Sequence, residues 1–238
     1  MQALILAGGK GTRLRPYTAV LPKPLMPIGE MPILAVILRQ LKVAGFTEVI
    51  LAVNYLSHLF EAILGSGDLF GLRVHYSSEE KELGTAGPIA MAWPHLEDDF
   101  LVMNGDILTT LDYAGLYRSH VHSGAKATIA VYQRDVHIDF GVVHSTPDGR
   151  LVRYEEKPTL HYQVSMGVNM LNKKGIEPHL RFGEHMDLPD LMTAMSTAGE
   201  HVGCYQANGY WLDIGRIDDY MRANEEFEPM RHLFLPET

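Results

Sequence analysis

Leu4-Ile5-Leu6-Ala7-Gly8-Gly9-Lys10-Gly11-Thr12-Arg13-Leu14-Arg15-Pro16 decides how this chain is read. A short apolar run with the character of a buried strand, residues 2–6, empties into a loop carrying three glycines and three cations. Glycines let backbone N–H groups approach an anion closely, because no Cβ stands in the way. Successive N–H groups in such a loop form a concave nest for phosphate oxygens, and Arg13 adds a forked, permanently charged donor set. The loop reads as a polyphosphate cradle, with an ordinary strand-to-helix turn as the plain alternative. It is neither of the two common cradles. A dinucleotide fingerprint counted from Gly9 needs a third glycine where Leu14 stands, and the Gly-Lys-Ser/Thr of a Walker loop is absent.

Outward from this loop, strand and helix signals alternate. Apolar residues at Ile33, Leu34, Ile37, Leu38 and Leu41 keep a helical period over 32–44, which Gly45 ends. A strand follows over 48–53, a helix over 57–64, a strand over 73–76, a helix from 87 to 92, a strand over 100–103 and a helix over 113–123. Strands separated by helices at this spacing predict an α/β fold, a doubly wound Rossmann-like sheet with helices on both faces. Ligands gather beyond the carboxyl ends of such strands, where Gly8 and Asp106 stand. Beyond residue 124 the pattern changes to strands over 126–132, 141–144, 151–155 and 164–171, with a turn at Pro147-Asp148-Gly149. This predicts a mixed sheet with an antiparallel sub-layer in the second half. Helices over 190–196 and 217–227 and short strands over 201–205 and 210–212 complete the reading. The chain is expected to form a single domain over 1–238, with a first half to 123, a second half over 124–228 and a loosely held tail over 229–238.

Composition narrows the class. At 46% hydrophobic and 21% charged the 238 residues can bury a sizeable core, and a net charge of −9 argues against a nucleic-acid surface. A small polyanion needs only local cations or a metal. Cys204 is the only cysteine, so no internal disulfide forms and a reducing, cytoplasmic location is expected. The apolar run at 3–7 is too short for a signal peptide, and no run approaches the roughly 18 apolar residues of a membrane span. Of the twelve histidines, His120 and His122 have ligand-like spacing but are expected on a solvated helix face.

Several residues suit chemistry on a phosphate. Lys23 lies in Leu21-Pro22-Lys23-Pro24-Leu25-Met26-Pro27, whose prolines predict a stiff extended loop able to hold a lysine at a fixed point, unless it is merely an exposed lysine. Asp106 follows a buried strand, and Asp213 sits among Tyr210, Trp211, Leu212 and Ile214. Two carboxylates with substrate oxygens and waters make an Mg²⁺ site; the alternative for each is a helix N-cap. Leu83-Gly84-Thr85-Ala86-Gly87 lets a flat base lie on backbone, or is a plain helix start capped by Thr85. Glu155-Glu156-Lys157-Pro158 suits sugar hydroxyls and a monophosphate, or is a charged hairpin edge.

Taken in order, Leu-Ala-Gly-Gly-Lys-Gly-Thr-Arg (6–13), Pro-Lys-Pro-Leu-Met-Pro (22–27), Leu-Gly-Thr-Ala-Gly (83–87), Asn-Gly-Asp (104–106), Phe-Gly-Val-Val (140–143), Glu-Glu-Lys-Pro (155–158) and Trp-Leu-Asp-Ile-Gly (211–215) resemble the sugar-1-phosphate nucleotidyltransferases. They span most of the chain. The resemblance implies transfer of a nucleoside monophosphate from an NTP to a hexose or heptose 1-phosphate, with Mg²⁺, giving an NDP-sugar and pyrophosphate. It implies that Leu6, Ala7, Gly8, Gly9, Gly11 and Thr12 wrap the nucleotide, with Gly84, Thr85 and Glu79 or Glu80 at its base. Arg13, Lys23 and Asp106 would carry catalysis, Asp106 and Asp213 the metal. Gly141, Glu156 and Asn169 would face the sugar, and Lys157 its phosphate. Glu79-Glu80 and Leu-Gly-Thr-Ala-Gly-Pro are most similar to the mannose-1-phosphate guanylyltransferases, which favours GTP. Thymidylyl-, uridylyl- and cytidylyltransferases share most other motifs. Many guanylyltransferases continue into a C-terminal hexapeptide-repeat helix, and this chain is expected to lack regulation through one, although a homo-oligomer is compatible with it. A nucleotide-sugar-binding regulatory protein without turnover is the reading from another class, disfavoured by the joint presence of Arg13, Lys23, Asp106 and Asp213. No nucleic-acid or membrane partner is expected.

Overall fold

The computed structural model describes residues 1–78 and 81–235. The first half runs β1 (Gln2–Leu6), a short ribbon of β2 (Pro27–Ile28) and β3 (Met31–Pro32), α1 (Ile33–Val43), β4 (Glu48–Val53), α2 (Ser57–Leu64), β5 (Arg73–Ser78), α3 (Gly87–Ala92), β6 (Asp99–Asn104), β7 (Ile107–Thr109) and α4 (Tyr113–Ser123). The second runs β8 (Ala127–His137), β9 (Val142–Ser145), β10 (Leu151–Glu155), β11 (Thr159–Asn172), α5 (Lys173–Ile176), α6 (Leu188–Thr197), β12 (Val202–Gln206), β13 (Trp211–Asp213), α7 (Ile217–Phe227) and α8 (Arg231–Phe234).

Seven strands from both halves join one sheet in the order β12-β8-β11-β6-β1-β4-β5. β1 pairs in parallel with β4 and β6, β4 with β5, and β12 with β8, while β11 runs antiparallel to both its neighbours. The expected α/β mixed sheet is therefore what forms. Strand pleat splits its side chains between two cores. Ala3 and Ile5 face one cluster with Leu101, Met103, Val49 and Leu51, and α1, α4 and α7 cover it. Leu4 faces the other with Phe100, Val102 and Ile50, under α3 and α6. A strand buried on both faces loses polar alternation, which is why 2–6, 48–53 and 100–103 read as continuous apolar runs.

From β1 the chain winds to β4 on one side and to β6 on the other, so a crevice opens at the carboxyl ends of these strands. Among the described residues no helix is long and apolar enough to cross a membrane.

The structure corrects four expectations. Residues 21–27 are not extended throughout: between Pro22 and Met26, which are, Lys23–Leu25 form a 3₁₀ turn, with Leu25 N donating to Pro22 O (2.9 Å) and Met26 N to Lys23 O (3.1 Å). The φ that proline presets suits a turn as well as an extended segment. His120 is not on a solvated face. It is buried, with Nδ1 2.8 Å from Thr128 Oγ1 and Nε2 3.4 Å from Asp99 Oδ1, and burial first of all holds its pKa below the usual range. Residues 229–235 are not a loose tail, because α8 carries a fully buried Phe234 that stacks on Phe227 at 5.6 Å. Finally, β8 and β11 extend five residues beyond the predicted ends at 132 and 164, through the pairing of His137 with Thr159. Gln133–His137 and His161–Gln163 are exposed, so nothing in their polarity announces a strand.

Candidate functional site

The crevice holds a cavity of about 620 Å³ at the ends of β1, β4 and β6. Leu6, Ala7, Gly8, Gly9, Gly11, Thr12, Arg13, Lys23, Gly84, Thr85 and Asp106 all line it. Glu79 and Glu80 lie outside the described residues.

The glycine loop leaves β1 with Ala7 N donating to Ala52 O of β4 (2.8 Å) and then crosses the crevice. Gly9 has open space where a Cβ would stand. Gly11 is constrained: its φ is +58°, and a Cβ there would lie 2.9 Å from Thr18 Cγ2. Buried Thr18 donates its hydroxyl to Gly11 O (2.7 Å), which pins the loop from below. Thr12–Leu14 then tighten into a 3₁₀ turn that presents Arg13.

Lys23, 8% exposed, is turned toward the acids by its own 3₁₀ turn. Its ammonium contacts Asp106 Oδ2 and lies 3.9 Å from Asp213 Oδ1. The two acids are 107 residues apart in sequence and adjacent in space because β7 and β13 form an antiparallel ribbon, with Ile107 opposite Asp213 and Ile214 N donating to Asp106 O (3.1 Å). The indole of Trp211 anchors this ribbon by donating to Met166 O (3.2 Å). Neither acid caps a helix: Asp106 leads into β7, α4 is capped by Asp112, and Asp219 bonds back to Arg216 N at the start of α7.

Loss of water raises the pKa of Asp213, and the charge of Asp106 adds to the effect; Lys23 and Arg13 oppose it. Arg13 stands close by, with its guanidinium 3.7 Å from the position a Cβ of Gly215 would take. Asp106 Oδ1 is buried and has no partner among the described residues. A buried carboxylate oxygen left without a partner is costly. A hard divalent cation completed by substrate oxygens and water fits this donor pair, since Mg²⁺ is usually held by one or two carboxylates. Among the described residues no cluster of three or more acidic, histidine or cysteine ligands occurs.

The base-side turn is built differently from its plain alternative. Thr85 does not cap α3. Its hydroxyl accepts from Leu188 N (2.7 Å) and donates to Asp187 Oδ1 (3.2 Å), and its N–H donates to the same oxygen (3.0 Å). Gly84 has φ +75°, and a Cβ there would meet Met186 O at 2.5 Å. The glycine thus allows residues 184–187 to close against the turn.

The residues assigned to a sugar phosphate do not line this cavity. Gly141 and Glu156 face each other, with a Cβ on Gly141 falling 3.1 Å from Glu156 Oε2, and Tyr154 donates to that oxygen (3.2 Å). Lys157 is exposed and follows with φ 44°. Asn169 is buried on β11, opposite Val102 and Ile129.

Sequence reasoning missed Asn54, Lys10, Glu82, Asn104 and His185, all of which line the cavity. Asn54 had a signal, because it follows β4 as Ala7 follows β1. His185 had none, since it arrives on the segment before α6 that only the fold brings near.

A sequence profile described as nucleotidyl transferase matches residues 2–229. Mannose-1-phosphate guanyltransferase beta-A of Xenopus laevis is 33% identical over 228 residues, 93% of this chain and 63% of that protein. UTP–glucose-1-phosphate uridylyltransferase of Synechocystis sp. is 31% identical over 242 residues, 94% of this chain and 62% of its own. The crystal structure of HddC from Yersinia pseudotuberculosis superposes with a TM-score of 0.73 at 28% identity, covering 95% of this chain and 99% of that one; a second HddC structure is complexed with GMP-PN. The chain spans a little over three fifths of the length of the curated relatives it matches, 63% and 62% in the two cases above.

Proposed function

Since the chain belongs to the nucleotidyl transferase family, we propose that it transfers a nucleoside monophosphate, preferably GMP from GTP, to a hexose or heptose 1-phosphate. The products are an NDP-sugar and pyrophosphate. The observation that carries this reading is the gathering of Arg13, Lys23 and Asp106 in one strand-end crevice, with Asp213 beside Lys23 at its edge. The guanine preference is supported by the motif resemblance at residues 79–80 and 83–88 and by the name of the Xenopus relative.

In this reading the loop over residues 8–13 wraps the triphosphate with backbone N–H groups, and the 83–87 turn carries the base. Arg13 and Lys23 neutralise the phosphates and the charge that develops as the sugar phosphate oxygen attacks the α-phosphorus in line. Asp106 and Asp213 would hold Mg²⁺, which would supply charge neutralisation at the reacting phosphate. Asp106 also orients Lys23, so the ammonium meets substrate already positioned. Gly141, Glu156 and Asn169 face the sugar and Lys157 its phosphate. None of these groups forms a covalent intermediate; positioning and preset charges supply the acceleration.

Pyrophosphate release from GTP, dTTP, UTP and CTP, each paired with several sugar 1-phosphates, tests the proposal. Release is expected to be fastest with GTP and to require a divalent cation. Tight nucleotide binding with no release from any pair would replace the enzyme by a nucleotide-sugar-binding regulatory protein.

A further inference from the structure

Within residues 8–13, the part of the loop assigned to the triphosphate, one cation is left unused by the proposed reaction. Lys10 stands between Gly9 and Gly11, and its ammonium lies 2.6 Å from Glu82 Oε1. Both residues line the cavity, Lys10 from the loop after β1 and Glu82 from the segment before α3. The pair therefore ties the loop assigned to the triphosphate to the turn assigned to the base. Lys23 is engaged by Asp106, and Arg13 stands beside Gly215. Lys10 thus has a different charge environment from both: its acid partner sits at the rim, with side chains 60% and 68% exposed. An ion pair this wet adds little to stability, so holding the fold together does not explain it. The hydrogen bond from Lys10 is nevertheless the main cause that keeps the Glu82 carboxyl below its ordinary range, with a smaller contribution from His185 on the same cavity wall.

We propose that Lys10 and Glu82 form an ionic latch which the nucleotide triphosphate opens. The ammonium leaves Glu82 for the phosphates and carries the glycine loop onto the ligand. A lysine suits this exchange, as a point charge on a flexible four-carbon stem that is free to change partner. The triphosphate is the denser anion and lies along the same loop, so it outcompetes a single solvated carboxylate. Glu82 is then an internal competitor for the ammonium and a like charge facing the incoming polyanion. The two halves of the pair consequently act on nucleotide binding with opposite sign. A salt bridge that merely braced two loops would give the same sign for both.

The inference rests on the nucleotidyl-transfer reading, and the test separates the two. Calorimetric binding of GTP, dTTP, UTP and CTP with Mg²⁺ is measured for the wild type, and of GTP for Lys10→Ala, Lys10→Arg and Glu82→Gln, with thermal melts to verify folding. Kinetic constants are measured for both substrates. Lys10→Ala is expected to weaken GTP binding about tenfold, the scale of one charge-assisted contact, and to leave the KM for sugar 1-phosphate unchanged. Lys10→Arg restores binding to within about twofold of the wild type, and Glu82→Gln tightens it roughly two- to threefold. Weaker binding in both Lys10→Ala and Glu82→Gln, or no change in either, overturns the latch while leaving the reaction intact. Failure of the folded wild type to bind any of the four nucleotides overturns the reaction itself, and the latch with it.

Discussion

The crevice at the ends of β1, β4 and β6 and the β9–β10 hairpin are held by different physics. Around the crevice Gly8, Gly9 and Asp106 stand two or three positions beyond β1 and β6, strands buried on both faces, so two cores fix their backbone. The hairpin carries Val143 at 57% exposure, Leu151 at 65% and Val152 at 64%. Its charged side chains pair locally, Arg153 with Glu155 (2.8 Å) and Arg150 with Asp148 (3.1 Å). A two-stranded hairpin on its own is marginal in water. The core therefore preorganises the side proposed to hold the nucleotide, and Asn169 on β11 with it, whereas Gly141, Glu156 and Lys157 depend on local pairing.

The largest effects should fall on the preorganised side. Asp106→Ala is expected to lose Mg²⁺-dependent pyrophosphate release, and Lys23→Met to lower kcat on the order of 10²- to 10³-fold, comparable to removing a preset charge aimed at a transition state. Thermal melting of both variants should change far less than turnover. Normal Mg²⁺ dependence in Asp106→Ala would show that this acid does not hold the metal. Next come substitutions that test the support rather than the chemistry. Leu4→Ala removes a fully buried side chain and should cost about 2–4 kcal/mol in denaturant unfolding, whereas Leu151→Ser on the hairpin should stay within about 0.5 kcal/mol. A comparable loss from both would erase the contrast. Smaller again, Glu156→Ala should raise the KM for sugar 1-phosphate about tenfold while leaving the KM for NTP alone, the pattern of lost uniform binding.

This contrast also explains what was legible in the sequence. The strands at 2–6, 48–53 and 100–103 announce themselves because burial on both faces demands unbroken apolar runs, and glycine and acid residues at their ends are informative for that reason. The adjacency of Asp106 and Asp213 is carried by β7, a three-residue strand with no periodicity to detect, so only the motif resemblance suggested it. His120 was misread because one buried polar residue on a helix rich in polar residues leaves no trace in a periodic pattern; its partners Asp99 and Thr128 lie on β6 and β8. Phe234 was missed because four residues of α8 are too few for a helical period to emerge, although the residue is wholly buried. The outer parts of β8 and β11 stayed hidden because their exposed residues select for polarity, not for alternation.

The smallest expected effect separates stability from chemistry within the crevice. The carboxyl of Asp213 is pushed above the usual aspartate range, chiefly by loss of water and then by the charge of Asp106. For an acid whose pKa is higher folded than unfolded, the folded state binds the proton more tightly. Its favourable contribution is complete below the unfolded pKa and disappears as pH rises through the folded one, so at neutral pH the ionised group is a net burden on the fold. Asp213→Asn should therefore raise the melting temperature slightly near pH 7, and the gain should vanish as pH falls toward 4. A melting temperature that falls in Asp213→Asn at neutral pH would mean that the ionised carboxylate stabilises the crevice, leaving only Lys23 and Arg13 to explain why it stays charged there.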